Sequence, residues 1–232
     1  MTLAIEVNPQ PWESAFFAQR IGRLTITETR DGAAIIEPDN EYDILQAKVA
    51  AQQTAHIDAL GQLGFQLVEG EMEYVFSVNN TERPAGIRIA REAHIPFLRQ
   101  SASEAFAFSR FRQPWFKPGE SGRFYAQWVE NAVRGCFDDQ CILAVAPDDE
   151  IQGFVSLRRQ AEGSGRVGLL ATLPHAQGAG VGQRLIHAAT DWCRVQGLSR
   201  LFVATQSANL AALRLYQRCG GTVASASYWF YR

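Results

Sequence analysis

The sequence predicts an α/β protein. Its central sheet is mixed in direction, mostly antiparallel, flanked by helices, and preceded by a smaller α/β N-terminal domain. Three observations lead there. Short apolar or alternating runs trade places along the chain with stretches of helical period. One pair of apolar runs, CILAVA and IQGFVSLRRQ, closes on a tight polar turn, PDDE, as an antiparallel hairpin does. A polar stretch with proline and glycine, VNNTERPAG at 78–86, divides the chain into a small part, 1–80, and a larger one, 86–232.

In order, the alternation in RLTITET predicts a half-buried strand, ILQAKVAAQQ a second, and TAHIDALGQLG a short helix closed by Gly64. FQLVEGEMEYVFSV is a strand pair or one long bent strand. After 86, GIRIAREAH reads as a strand, IPFLRQSASEAFAFSRF as an amphipathic helix and SGRFYAQWVENAVRG as a second helix with an aromatic stripe. The hairpin, the strand RVGLLATL, the helix GQRLIHAATDWCRVQG, the parallel strand RLFVATQ, the helix NLAALRLYQRCG and the strand VASASYWFYR complete it. The segment from Ile44 echoes the segment from Arg200: strand, helix, glycine, strand, with Gly64 matching Gly220 and Leu60 standing where the later copy has Tyr216. The echo reads either as a degenerate half of the same fold or as the likeness of any two strand–helix–strand units.

Composition narrows the function classes. Hydrophobic residues make up 47%, charged residues 20%, and the net charge is −2. No basic field calls for nucleic acid. The longest apolar runs, such as CILAVA, are too short to span a bilayer, and the start MTLAIEVNPQPWE lacks a basic-then-apolar leader. The expectation is a cytoplasmic protein without a nucleic-acid or membrane partner. Cysteines 136, 141, 193 and 219 form no C-x-x-C and do not group with the histidines, so four reduced thiols and no metal are expected.

The stretch HAQGAGVGQRLI, 175–186, carries the first chemical signal. Glycine is costly in regular structure. Here three alternate at 178, 180 and 182, directly before a helix. Free main-chain N–H groups and the positive end of a helix dipole then converge on one point, a site suited to phosphate. A P-loop requires Gly-Lys, which is absent; the dinucleotide fingerprint requires glycine at 185, which is leucine. The pattern Q/R-x-x-G-x-G/A is met by Gln177-Gly178-Ala179-Gly180-Val181-Gly182. Downstream, N-x-x-A-x-x-x-Y-x-x-x-G is met by Asn209, Ala212, Tyr216 and Gly220.

On these two motifs, residues 86–232 resemble the general N-acetyltransferase (GNAT) superfamily. The resemblance implies acetyl-CoA as acetyl donor. It implies that LLATL and VATQ splay, so that backbone groups around Leu170, Ala171 and Thr172 pair with the pantetheine arm. The amides of Gly178, Ala179, Gly180, Val181, Gly182 and Gln183 would hold the pyrophosphate, and Gln177, which opens the motif, would also bind the cofactor. Asn209 would hydrogen-bond the cofactor, and Tyr216 would protonate the leaving thiolate. Gly221 replaces the phenylalanine usual after the final motif glycine, a change expected to affect packing only. Tyr216 also reads as a core aromatic, and Leu170 as a core residue.

Acetyl transfer to an amine needs a neutral amine, a stabilised tetrahedral oxygen and a protonated leaving thiolate. Neutralising a lysine-like amine at pH 7 costs about 4–5 kcal/mol; an amino sugar costs less. A strand N–H can stabilise the oxygen, and a phenol can donate to sulfur. No residue identifies itself as the base: a water chain and Glu69 or Glu71 stay open, as does the reading of both as solvated strand residues.

The acceptor signal lies in 105–135, where Arg110, Arg112, Lys117, Arg123 and Arg134 interleave with aromatics including Trp115 and Tyr125. Arginines grip phosphates bidentately and aromatics pack on bases and sugars. Arg110, Arg112, Trp115, Arg123 and Tyr125 are therefore expected to bind a nucleotide-diphosphate sugar; an aromatic core stripe with a basic face is the alternative. SRFRQPWFKPGESGRFYAQWVENAVRG, with LGFQLVEGE and YWFYR, resembles the branch of the superfamily that acetylates the 4-amino group of dTDP-4-amino-4,6-dideoxy-D-galactose for enterobacterial common antigen, over nearly the whole chain. It implies direct transfer with Tyr216 as proton donor. A protein amine as acceptor, and a non-catalytic acyl-CoA-binding domain, remain open. So does a homodimer joined through YWFYR, which could equally finish the core.

Overall fold

The computed structural model describes residues 2–29, 41–79, 83–106 and 109–232. Expectations falling on 30–40, 80–82 and 107–108, which include the middle of the 78–86 stretch and part of IPFLRQSASEAFAFSRF, lie outside the described residues. The chain divides into two compact units, Met1–Glu71 with Ser109–Glu120 and Ser225–Arg232, and Met72–Phe108 with Ser121–Ala224.

In the first unit, β1 (Thr2–Pro9), α1 (Pro11–Phe17), β2 (Ile21–Thr29), β3 (Ile44–Ala50), α2 (Thr54–Gln62) and the start of β4 (Gln66–Ser77) follow in sequence. The run 66–77 is thus one long strand. β1 and β2 pair antiparallel, and β2 and β3 parallel, with Arg23 opposite Gln46. The C-terminal part of β10 (Thr222–Tyr231) pairs antiparallel with β3, setting Trp229 opposite Lys48 and Tyr231 opposite Gln46. The aromatic run YWFYR therefore pairs within its own chain. Leu24, Leu45, Ala47, Val49, Leu60, Phe65 and Phe230 form this unit's core. Leu60, the counterpart of Tyr216 in the sequence echo, is fully buried there.

The second unit holds the rest of β4, then β5 (Ile87–Ile89), α3 (Ile95–Ala105), α4 (Glu120–Arg134), β6 (Gln140–Val145), β7 (Ile151–Gln160), β8 (Ser164–Thr172), α5 (Val181–Val195), β9 (Arg200–Gln206) and α6 (Leu210–Arg218). Its strand order is β4-β9-β8-β7-β6-β5. β5 through β8 pair antiparallel and β8 pairs parallel with β9. This is the mixed, mostly antiparallel sheet with helices that the sequence predicts. β5 is shorter than GIRIAREAH suggested, because a 3₁₀ turn at Glu92–His94 begins the approach to α3.

α5 shows why the sequence folds this way. Val181, Leu185, Ile186, Ala188, Ala189, Trp192 and Cys193 fall on one face at helical spacing and pack with Val155, Leu157, Val167, Leu201 and Val203 of the sheet. Glycines in the strands let the helix lie close. A Cβ at Gly153 would stand 3.1 Å from both Leu185 and Val181, and one at Gly165 would overlap Cys193 Sγ. Burial pushes the Cys193 and Cys141 thiols up to about 12, consistent with packed apolar groups. Among the described residues no helix is long and apolar enough to cross a membrane.

Leu185 is fully buried between α5 and the sheet. Leu185→Ala is expected to destabilise the protein by about 3 kcal/mol, through lost transfer energy and the cavity left behind, read as a lower urea midpoint with an unchanged m-value.

Candidate active site

The site begins where a strand pair stops. β8 and β9 pair at Ser164–Arg200, Gly165–Leu201, Arg166–Phe202 and Val167–Val203, and no further. Beyond Val167 the two strands lack each other as partners. Strand main chain alternates its direction, one residue facing one neighbour and the next the other. The N–H of Leu169 bonds Ser156 Oγ at 2.9 Å and that of Leu173 bonds the Gln152 carbonyl at 2.9 Å, both toward β7. The intervening N–H groups of Leu170 and Thr172 therefore face the side where β9 has stopped pairing. Ala171 turns its carbonyl to β7, within 2.6 Å of where a Cβ at Gly153 would lie. Its main chain is already engaged, which leaves Leu170 and Thr172 to face the gap. Leu170 also packs its side chain against the core.

After β8 the chain makes a 3₁₀ turn at Pro174–Ala176 and enters the glycine loop. Gly178 and Gly180 have φ of +79° and +77°, in the left-handed region that side chains avoid. A Cβ on either would meet nothing within 4 Å. These glycines are thus required by backbone conformation, and the space around them is open. Gly180 caps α5, and no side chain caps the helix. The first-turn N–H groups of α5, at Val181, Gly182 and Gln183, have no intrahelical acceptor and stand beside the exposed loop 177–180. Gly182 serves a different purpose: a Cβ there would come 2.9 Å from Leu215 Cδ2 and 3.6 Å from Thr172 Oγ1. That close approach brings the loop, the end of β8 and α6 to one place.

α6 explains the second motif. Asn209 is its N-cap, and its Oδ1 accepts from the Ala212 N–H at 3.1 Å. The carbonyl oxygen of Asn209 thus serves the helix, which leaves the amide nitrogen for other partners. Tyr216 is 4% exposed and sits with its ring edge-on to Tyr74 at 5.6 Å and Phe76 at 6.3 Å. Burial, with a smaller contribution from Cys219, holds its phenol well above the usual tyrosine range. The phenol is therefore protonated throughout the neutral range. Gly221 now has a reason: Phe76 fills its space, 2.8 Å from where a Cβ would lie.

The residues expected to bind the acceptor fall in both units. In the second, Tyr125 packs on α4 against Phe106 at 4.7 Å and beside Trp128, and Arg123 is exposed. In the first, Arg112 Nη2 donates to the Val68 carbonyl at 3.2 Å and Trp115 packs edge-on against Tyr231. Arg110 is the centre of a polar cluster. Its guanidinium lies 3.9 Å from the centroid of Trp229 and donates to the Tyr231 hydroxyl and to Gln46 Oε1. Arg23 and Lys48 also face Trp229, at 5.2 and 5.6 Å. Glu13 bonds Arg23 at 3.3 Å and Gln46 at 2.8 Å, while Glu71 takes Lys48 at 2.6 Å and the Trp229 N–H at 3.0 Å. Arg23 Nε is buried with no hydrogen-bond partner. Sequence reading did not bring Arg23 and Lys48 together with Trp229 of YWFYR. Their signal was faint, namely charged residues inside otherwise apolar strands.

Comparison with known proteins adds to this geometry. The model of the acetyltransferase (GNAT) family matches residues 98–221. A protein of Escherichia coli O6:H1, named dTDP-fucosamine acetyltransferase, is 46% identical over the full length of both chains. Among solved structures, a GCN5-related N-acetyltransferase from Sphaerobacter thermophilus superimposes with a TM-score of 0.59 at 18% identity, over 82% of this chain and 59% of that one. A tandem GNAT protein from the clavulanic acid biosynthesis pathway gives 0.59 at 12% identity, over 91% of this chain and 74% of that one. These two show the fold.

The first unit's cluster makes a prediction independent of any ligand. Glu13→Ala leaves the half-buried Arg23 without its carboxylate and should cost about 2–4 kcal/mol, read as a lower urea midpoint. Arg23→Met placed on top should recover part of that loss.

Proposed function

The chain belongs to the acetyltransferase (GNAT) family, and on that premise we propose that it transfers the acetyl group of acetyl-CoA to the 4-amino group of dTDP-4-amino-4,6-dideoxy-D-galactose. The product is the 4-acetamido sugar nucleotide, the expected donor for enterobacterial common antigen. The 46% identity to the E. coli dTDP-fucosamine acetyltransferase over both full lengths carries this reading. The gap between β8 and β9, beside an uncapped glycine-loop helix, supports it.

Acetyl-CoA supplies an acyl group activated as a thioester. The residues here fit it: open glycines and free first-turn N–H groups suit a pyrophosphate, and the outward-facing main chain of Leu170 and Thr172 suits an amide-bearing arm lying as a missing strand. The Asn209 amide nitrogen is a further donor. The neutral amine attacks the thioester carbonyl, a C–N bond forms and the C–S bond breaks. The Leu170 N–H stabilises the oxygen as charge builds on it. Tyr216 gives its proton to the departing sulfur, the amine gives up a proton to solvent, and solvent returns one to Tyr216, so that the cycle is proton-neutral. A phenol held above its usual range stays a donor at every working pH. Arg110, Arg112, Trp115, Arg123 and Tyr125 are assigned to the acceptor on their chemistry alone, guanidinium groups for a diphosphate and aromatic rings for a base and a sugar. Acetyl-CoA as donor makes the cytoplasm the place of action.

The test is release of free CoA thiol with dTDP-fucosamine, UDP-amino sugars, an aminoglycoside and a basic peptide as acceptors. Release with the dTDP sugar alone is expected. Tight acetyl-CoA binding with no release for any acceptor would overturn the enzymatic reading in favour of a binding module. Tyr216→Phe should lower kcat by about 100-fold or more while keeping acetyl-CoA affinity. In the parent enzyme, the fall that an ordinary phenol would impose near pH 10 should be absent, because Tyr216 titrates above that pH. Gly180→Ala, strained at a φ of +77°, should weaken acetyl-CoA binding by about tenfold or more with Tyr216 chemistry intact.

A further inference from the structure

Asp138 lies in the turn between α4 and β6, outside both motifs, and is fully buried. A buried carboxylate is costly unless its oxygens are well supplied with donors. Three side chains supply them. Trp128 Nε1 donates to Oδ2 at 2.9 Å, Ser156 Oγ donates to the same oxygen, and Arg158 Nη1 meets Oδ1 at 3.1 Å. Arg158 is itself held over the Phe137 ring, 4.6 Å from its centroid. Nothing in the acetyl-transfer scheme uses this group directly, yet it is built with care.

Its place in the sheet suggests what it does. β7 and β8 slip register here: Leu157 stands opposite Val167 and Val155 opposite Leu170. One residue of β7, Ser156, therefore faces two of β8, Gly168 and Leu169, which is a β-bulge. A bulge leaves main-chain groups without ladder partners. Ser156 Oγ accepts the Leu169 N–H, replacing the missing carbonyl. Gly168 has no side chain because Asp138 and Ser156 fill the space: a Cβ there would overlap Asp138 Oδ2 and come 2.7 Å from Ser156 Oγ. Across the bulge, Val167 and Leu170 both pack on the α5 core although they are three apart, so the strand has changed phase. The bulge falls at the residues where β8 and β9 stop pairing.

Resting on the acetyltransferase reading, we infer that Asp138 is a positioning residue. Acting through Ser156, it fixes the phase of β8 so that the Leu170 N–H faces the gap and meets the acetyl carbonyl. Asp138 and Ser156 touch no substrate. They act through the Leu169 N–H and the space reserved at Gly168. The carboxylate orients the Ser156 hydroxyl, whose lone pair is then presented to β8. Without that acceptor the Leu169 peptide is free to turn, and the next N–H loses its aim.

Ser156→Ala removes one oxygen, and Asp138→Asn keeps the shape while changing the donor pattern. Each is read for kcat, for the acetyl-CoA KM, for thermal midpoint, and for the infrared carbonyl stretch of bound acetyl-CoA carrying a ¹³C label in the acetyl group. In the parent enzyme this stretch should lie below that of free acetyl-CoA. In Ser156→Ala, kcat should fall about 10–100-fold with the acetyl-CoA KM within about threefold, and the stretch should return toward the free value. A kcat within about threefold of the parent, with the stretch still shifted, would overturn the inference. So would loss of acetyl-CoA affinity and thermal midpoint together in both variants with the stretch unmoved, which is what a purely structural clamp would give. Should the parent protein turn over no acceptor, the acetyltransferase reading fails, and the infrared comparison on bound acetyl-CoA still decides whether Asp138 and Ser156 aim the Leu170 N–H.

Discussion

The second unit is organised around a strand pair that is allowed to end early. Main-chain N–H and C=O groups inside a protein must find partners, and a sheet normally supplies them along its whole length. Here the ladder between β8 and β9 ends at Val167–Val203, and the strand residues beyond it are left to other partners. Much of the site follows from that. The glycine loop leaves the end of β8, α5 starts beside it without a side-chain cap, and Gly182 lets α6 approach with Tyr216 in its second half. A ligand that carries its own amide groups is the natural completion of such a sheet.

Holding two strands apart requires something firmer than the absence of contacts. The bulge at Gly168–Leu169 changes the phase of β8, and the α5 face packs both sides of it into one core, Val167 before and Leu170 after. Core packing in proteins is dense and shape-specific, so the phase change is locked from one face by apolar packing. On the other strand edge it is locked by Ser156 and the buried Asp138. A polar group and an apolar core thus act on the same few main-chain atoms.

How much of this the sequence discloses depends on how local each signal is. The glycine loop and the Asn209–Gly220 pattern are short and contiguous, and their reasons are local too: positive φ at Gly178 and Gly180, and an N-cap from Asn209 to Ala212. The mixed sheet was legible because apolar alternation is itself local. The early end of the β8–β9 ladder was expected only through family resemblance, since its causes sit on separate elements, at Ser156, Gly168 and Asp138. The Trp229 cluster was half visible. Arg110 stood out in an arginine-and-aromatic run, whereas Arg23, Lys48 and Trp229 come together only through the registers of β2, β3 and β10. Gly221 looked like a packing change, and Phe76 from a distant strand is what makes it one.

The pairing of β3 with the C-terminal part of β10 has a consequence for the newborn chain. β3 and its first-unit neighbours leave the ribosome early, but the strand at 225–231 follows only after all of the second unit has been made. At synthesis rates of about 5–20 residues per second, β3 waits on the order of ten seconds or longer with one edge unsatisfied. An open strand edge invites pairing with another chain. Gln46 and Lys48, placed in the middle of β3, make that edge polar and charged while it waits. Once β10 arrives, the same two residues stand opposite Tyr231 and Trp229 across the ladder, so residues that guard a nascent edge become interior partners of the finished sheet.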